Sequence, residues 1–217
     1  MDTFFKPWIG SEYQQKNYKI LVIGDSHYCG GCDRCGVYGN CSFEEMEDCS
    51  NFTQRIVKSY IDFRKDIGEK QGWMTKTFYP FDKIFYGKEN VTMEESLKLW
   101  NSISFYNFLQ TAYIEEASNV LYSNDDYALS TPLFYNVIKE LKPNLLIVWG
   151  NRAYNHLPNT NWEDGTDYYN GKYLIDNENE IKCIRIYHPS RANVSYWHSV
   201  LTDFIGMEPN KLLEDVN

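Results

Sequence analysis

KILVIGDSHYCGGCDRCGVYGNCSFEEMEDC, residues 19–49, is the stretch on which the fold turns. Ile20-Leu21-Val22-Ile23 is a continuous apolar run closed by Gly24. A strand covered on both faces of a parallel sheet has this character. Ligands of open α/β sheets bind beyond the carboxyl ends of such strands. Asp25, Ser26, His27 and Tyr28 occupy that position here. Five cysteines follow, Cys29, Cys32, Cys35, Cys41 and Cys49, spaced C-x2-C-x2-C-x5-C-x7-C among glycines that give the segment no period.

The rest of the chain alternates between strand-like and helix-like stretches. Residues 1–18 are aromatic and punctuated by Pro7 and Gly10, an arm packed on the body of the protein. A first strand is expected over 19–24 and a helix from Asn51, with Phe52, Ile56, Val57, Tyr60, Ile61 and Phe63 at mostly helical spacing. Residues 73–87 are aromatic and irregular. Thr92-Met93-Glu94-Glu95 is a capping box opening a helix with Leu97, Trp100 and Ile103 buried. A second strand is expected over 104–110, with Asn107 near its carboxyl end, and then a loop over 111–130.

Thr131-Pro132 reads as an N-cap followed by proline at the first helical position. Leu145 to Gly150 is a third buried strand, followed by a short helix over 151–157. Residues 158–180, rich in Asn, Asp, Glu and Gly, read as a surface excursion. A last strand over 182–187 delivers His188-Pro189-Ser190, and Asn193 caps a closing helix. The expectation is one α/β domain: a three-layer αβα sandwich around a central, mainly parallel four-stranded sheet.

Composition narrows the function. In 217 residues the hydrophobic fraction is 43%, ample for a packed core, while the formal charge of −9 argues against a generic nucleic-acid coat. A contact to phosphates would need a local basic patch, for which Lys58, Arg64, Lys65, Arg152 and Arg185 are the candidates. No apolar run reaches the length of a membrane span, and the first ten residues lack the pattern of a signal peptide. A cytoplasmic monomer without membrane contact is therefore expected. In a reducing compartment the cysteines suit a metal better than disulfides. Four of the five thiolates suit a structural Zn2+ ion, with an iron–sulfur cluster as the lesser option.

Gly24-Asp25-Ser26-His27-Tyr28 at one strand end and His188-Pro189-Ser190 at a later one resemble, in order and placement, the uracil-DNA glycosylase superfamily. Asn107 matches the position of that family's base-reading Asn. The resemblance implies a DNA glycosylase of a divergent branch, acting on single- or double-stranded DNA in repair or anti-phage defence. Many members carry an Asp where Ser26 stands, and proline is usual where His27 stands.

Breaking an N-glycosidic bond leaves a cation-like sugar and an anionic base. Asp25 is expected to place water or stabilise the sugar, with Ser26 as a weaker participant, and His188 to donate to the departing base. Asn107 offers a donor and an acceptor to a base edge. Tyr28, His27, Phe78 and Ser190 are expected to line the base pocket. Arg191, Ala192 and Asn193 stand where related enzymes wedge into DNA. Two alternatives remain open: a glycosylase for a bulky modified base of phage DNA, and a catalytically silent DNA-binding module with a metal knuckle.

Overall fold

In the computed structural model, residues 3–28, 49–113, 123–175 and 180–214 are described. In chain order the strands are β1 (Trp8–Ile9), β2 (Ile20–Gly24), β3 (His27–Tyr28), β4 (Ser104–Asn107), β5 (Ala112–Tyr113), β6 (Leu145–Trp149), β7 (Trp162–Asp164), β8 (Asn170–Leu174) and β9 (Glu180–Ile186). The helices are α1 (Phe52–Arg64), α2 (Tyr79–Tyr86), α3 (Met93–Ser102), α4 (Asn124–Leu141), α5 (Asn151–Asn155) and α6 (Val194–Ile205). The main sheet runs β1-β4-β2-β6-β9-β8-β7, and β3 pairs with β5 separately.

The sheet is mixed and seven-stranded, which corrects the four-stranded expectation. The four strands expected from the apolar runs form its parallel centre, with Val22 opposite Phe105 and Ile147, and Ile147 opposite Ile184. The three additional strands are antiparallel and lie at the edges. One comes from the N-terminal arm, where Trp8 Nε1 donates to Trp100 O. The other two form a hairpin in the stretch read as a surface excursion, and it buries Asn170 and Tyr173. Strand pairing satisfies backbone groups that polar edge sequences do not advertise.

Alternation along the central strands divides the core. Ile20 and Val22 join one apolar cluster, Leu21 and Ile23 the other. Each such fully buried side chain contributes about 1.5–3 kcal/mol. The first cluster is covered by α1, α2, α3 and α6 through residues such as Tyr60, Phe81, Trp100 and Trp197. The second is covered by α4 through Phe134, Val137, Ile138 and Leu141. Asp82 is buried in the first layer and accepts from Tyr60 Oη (2.5 Å), Ser96 Oγ (2.5 Å) and Trp100 Nε1 (2.8 Å), tying α1, α2 and α3 together.

Three local readings change. Residues 74–78 form a π-type turn that runs straight into α2, so the aromatic stretch is helical. β4 ends at Asn107 rather than at Gln110. Helix α4 begins well before Pro132, at a Ser123/Asp126 capping box, and carries that proline inside it. Pro132 has no N–H to donate. Just before it, the hydroxyls of Ser130 and Thr131 donate to the carbonyls of Asp126 and Tyr127.

Candidate functional site at the strand carboxyl ends

The ends of β4, β2, β6 and β9 lie side by side, spanning roughly 14 Å at the usual strand spacing. Gly24 and Asn107 are direct partners across β2 and β4. A Cβ at Gly24 would overlap the Asn107 side-chain oxygen and meet the Phe105 ring, so glycine is what lets the amide lie over the end of β2. Beyond this point Phe108 N donates to Gly24 O (3.0 Å) and Leu109 N to Asp25 O (2.9 Å). The two chains therefore leave the sheet in step. The Asn107 amide is half-exposed and makes no side-chain hydrogen bond among the described residues.

Asp25 is held from the next strand over. Arg152, on α5, forms an ion pair with Asp25 Oδ2 and lies 3.3 Å from the Tyr28 hydroxyl. Ser26 Oγ sits 3.2 Å from Asp25 Oδ2 and 2.7 Å from the Tyr28 hydroxyl. The other carboxylate oxygen, Asp25 Oδ1, is buried with no partner among the described residues. A carboxylate with one unsatisfied acceptor is suited to face a developing cation.

His188 comes from the end of β9. Gly150, at φ +91°, turns the chain after β6, and a Cβ there would lie 3.5 Å from His188 Cβ. Ser190 Oγ stands 2.8 Å from His188 Nδ1, and the Ser190 peptide N–H donates to the same atom (3.4 Å). A peptide N–H can only donate, so Nδ1 is the acceptor and the proton resides on Nε2. Burial lowers the His188 pKa, opposed by Asp25 and assisted by Arg191 and Arg152. The ring is a neutral imidazole presenting an Nε2–H donor.

Other expected site residues are placed elsewhere. His27 is 1% exposed, with Nδ1 on Leu109 O (3.0 Å) and Nε2 on Thr53 Oγ1 (2.7 Å), and it stacks on Phe5. Burial drives its pKa down to about 3. It is a core residue, which corrects its assignment to the base pocket. Phe78, 5% exposed among Tyr60, Trp100 and Trp149, belongs to the core as well. Asn193 Oδ1 caps α6 by accepting from Tyr196 N (2.9 Å). Arg191 is exposed, and Ala192 packs against the apolar cluster.

The expected basic patch does not assemble from its arginines. Arg64 donates to Val91 O (2.7 Å) and covers the Tyr79 ring, Arg152 serves Asp25, and Arg185 is buried. Cys29, Cys32, Cys35 and Cys41 lie outside the described residues; Cys49 is half-buried just ahead of α1. Among the described residues no group of His, Cys, Asp and Glu gathers as metal ligands. No helix among them is long and apolar enough to cross a membrane.

Two site features were not expected from sequence. Arg152 had been read only as a phosphate contact, and its place one turn after the Leu145–Gly150 run is the signal that marks it as a strand-end residue. Trp149 Nε1 is buried without a partner among the described residues, and the Trp149 ring meets His188 edge-on at 6.3 Å. A recess of about 670 Å³ lies elsewhere, between α5 and the β7–β8 hairpin, lined by Tyr154, Trp162 and Tyr168 among others.

The arrangement defines an α/β protein with the Asn107 amide, the Asp25 carboxylate and the His188 imidazole at the ends of its central parallel strands. The chain matches no protein-family model and no curated protein sequence.

Proposed function

We propose that this protein is a monofunctional DNA glycosylase that takes a flipped pyrimidine, uracil or a modified base, at the strand carboxyl ends. The observation that carries the reading is the placement of Asn107, Asp25 and His188 at the ends of three of the four central parallel strands, with Asp25 near enough to act on the His188 charge and the His188 Nδ1 accepting from Ser190 N–H. The resemblance to the uracil-DNA glycosylase superfamily, a superfamily built on a central parallel sheet, supports it.

In this reading Asn107 reads the base edge with its donor and acceptor. Water adds to the anomeric carbon as the glycosidic bond breaks, its proton passing to the Asp25 carboxylate. The electron pair of the broken bond leaves with the base, whose charge is stabilised by the His188 Nε2–H and then neutralised by a proton. Preorganised donors of this type are worth about 100–1,000-fold in rate. The C-x2-C-x2-C-x5-C-x7-C spacing supports a structural Zn2+ ion held by four of the five thiolates.

The test is base release from oligonucleotides carrying uracil, deaminated purines or modified cytosines, read as alkali-labile abasic sites. Release that collapses in Asp25→Asn and His188→Ala is expected. One observation favours a second reading, a silent DNA-binding module: Arg152 already occupies one oxygen of Asp25. DNA binding with no release from any substrate would select it.

A further inference from the structure

Outside the strand-end cluster, the least satisfied charge in the described residues is Arg185. It is 4% exposed on β9; Nη1 donates to Asn151 Oδ1 (2.7 Å), while Nε and Nη2 are buried without partners. The rings of Tyr168 and Tyr187 stand over its guanidinium, with centroids 5.0 and 5.5 Å away. A buried cation with two idle donors is costly unless an anion completes it. The covering Tyr168 ring is 78% exposed, so moving it to uncover those donors sacrifices little packing.

Exposed aromatic rings continue from this point. Tyr187, 45% exposed, and Tyr196, 54% exposed, both pack against Trp197, at 5.0 and 5.1 Å. Tyr187 immediately precedes His188, so the ridge runs into the strand-end cluster. Exposed rings beside a cation suit unpaired bases, every one of which has a π-face, whereas a duplex keeps its faces stacked inside. The neighbouring recess is lined by Asp164 and Asp167, whose charge repels phosphates from that route.

We infer that the Tyr168–Tyr187–Tyr196 ridge around Arg185 binds the unpaired nucleotides flanking the target, making single-stranded DNA the preferred substrate. This rests on the glycosylase reading for its target and adds the strand preference. Attraction comes from stacking more than from charge, which reconciles DNA binding with a net charge of −9. Among the described residues Arg185 lies beneath the ridge and Arg191 stands exposed beyond His188, while Arg152 is engaged with Asp25. The salt dependence is therefore shallow, with a log–log slope no steeper than about −2 even for three phosphate contacts on a single strand.

The experiment is fluorescence anisotropy with labelled oligothymidylate, alone and annealed to oligodeoxyadenylate, over a salt series. Base release is measured separately on both forms. The single strand is expected to bind at least about ten-fold more tightly than the duplex, and Tyr187→Ala and Tyr196→Ala each to weaken it about ten-fold. Arg185→Gln is expected to flatten the salt slope further. Because Arg185 is buried and that variant risks misfolding, the exposed tyrosines carry the test. Equal or tighter duplex binding, unchanged affinity in the tyrosine variants, or a steep salt slope overturns the inference. Tyrosine-dependent strand binding without base release leaves the ridge standing and removes the glycosylase; release from duplex and single strand alike does the reverse.

Discussion

Asn107 lies in the space that a Cβ on Gly24 would occupy, so the residue ending β2 sets the position of the amide ending β4. Gly24→Ala must push that amide away. Overpacking of this kind costs about 1–3 kcal/mol in stability. The expected outcome is a folded protein whose kcat/KM for base release drops by at least about ten-fold, since small misplacements at reacting centres are expensive. Asn107→Ala should lose base discrimination with less effect on stability. Steady-state kinetics and thermal melts on both variants check this.

In the proposed reaction His188 is a neutral donor, so its protonation should define the acid limb of activity. Its pKa lies below the ordinary 6.5, chiefly through burial. Protonation puts a hydrogen on Nδ1 facing the Ser190 N–H and breaks that turn. Activity should fall as pH drops through a midpoint under 6.5 and level off above it. Arg191 holds the pKa down, so Arg191→Gln should move the limb to higher pH. Single-turnover rates at saturating DNA read this directly, and a limb that stays put would falsify the assignment.

Arg152 and Asp25 are joined across 127 positions of sequence. The pair is partly exposed, so its contribution to stability should be modest. A double-mutant cycle with Arg152→Ala and Asp25→Asn in urea is expected to give a coupling of about 1 kcal/mol. On activity, Arg152→Ala should lower kcat about ten-fold with KM nearly constant, because the carboxylate loses its orientation. Arg152→Lys should recover part of that loss.

Asp82 is a stability residue with a definite pH signature. Burial raises its pKa from 3.8 to about 6, against the hydrogen bonds that favour the ionised form. A group with a raised folded pKa stabilises fully below its unfolded value and loses that contribution as pH rises through the folded one. The fold should therefore lose about 2 kcal/mol on this account between pH 4 and pH 7. Asp82→Asn should flatten that dependence, because its amino group can donate to the Tyr60 and Ser96 hydroxyls while its oxygen keeps Trp100. Asp82→Ala strands three buried donors and should cost at least about 3 kcal/mol. Denaturant melts across the pH range measure both.

Freshly purified protein is expected to carry about one zinc ion per chain by elemental analysis. Cys32→Ser should reduce that content, and chelation should lower the melting temperature. Protein purified without bound metal, and indifferent to chelator, would sink the zinc assignment.

The amino-acid sequence by itself determined the centre of the sheet and what stands at its ends. Ile20-Leu21-Val22-Ile23 and Leu145-Leu146-Ile147-Val148 are short continuous apolar runs of the kind that strands buried on both faces carry, and Cys183, Ile184 and Ile186 mark a further strand despite Arg185 among them. Asp25, Asn107 and His188 follow because chain order fixes which residue leaves each strand end. The capping box at Thr92 and the Asn193 cap were equally legible, since capping is a contact within one turn of chain.

Tertiary structure decided the rest. Strand β1 and the β7–β8 hairpin are short and lack a long apolar run, so their existence depends on an edge that only the assembled sheet provides. The start of α4 was obscured because Thr131-Pro132 imitates a helix start, while the Ser123/Asp126 box that opens the helix lies earlier in the chain. His27 and Asp25 are both polar residues of one turn, yet one is sealed by Phe5 and Thr53 and the other meets Arg152. Those partners are distant in sequence, and a side chain's environment is set by what docks against it. Local pattern placed the residues at the strand ends, and packing from elsewhere in the chain chose which of them face the site.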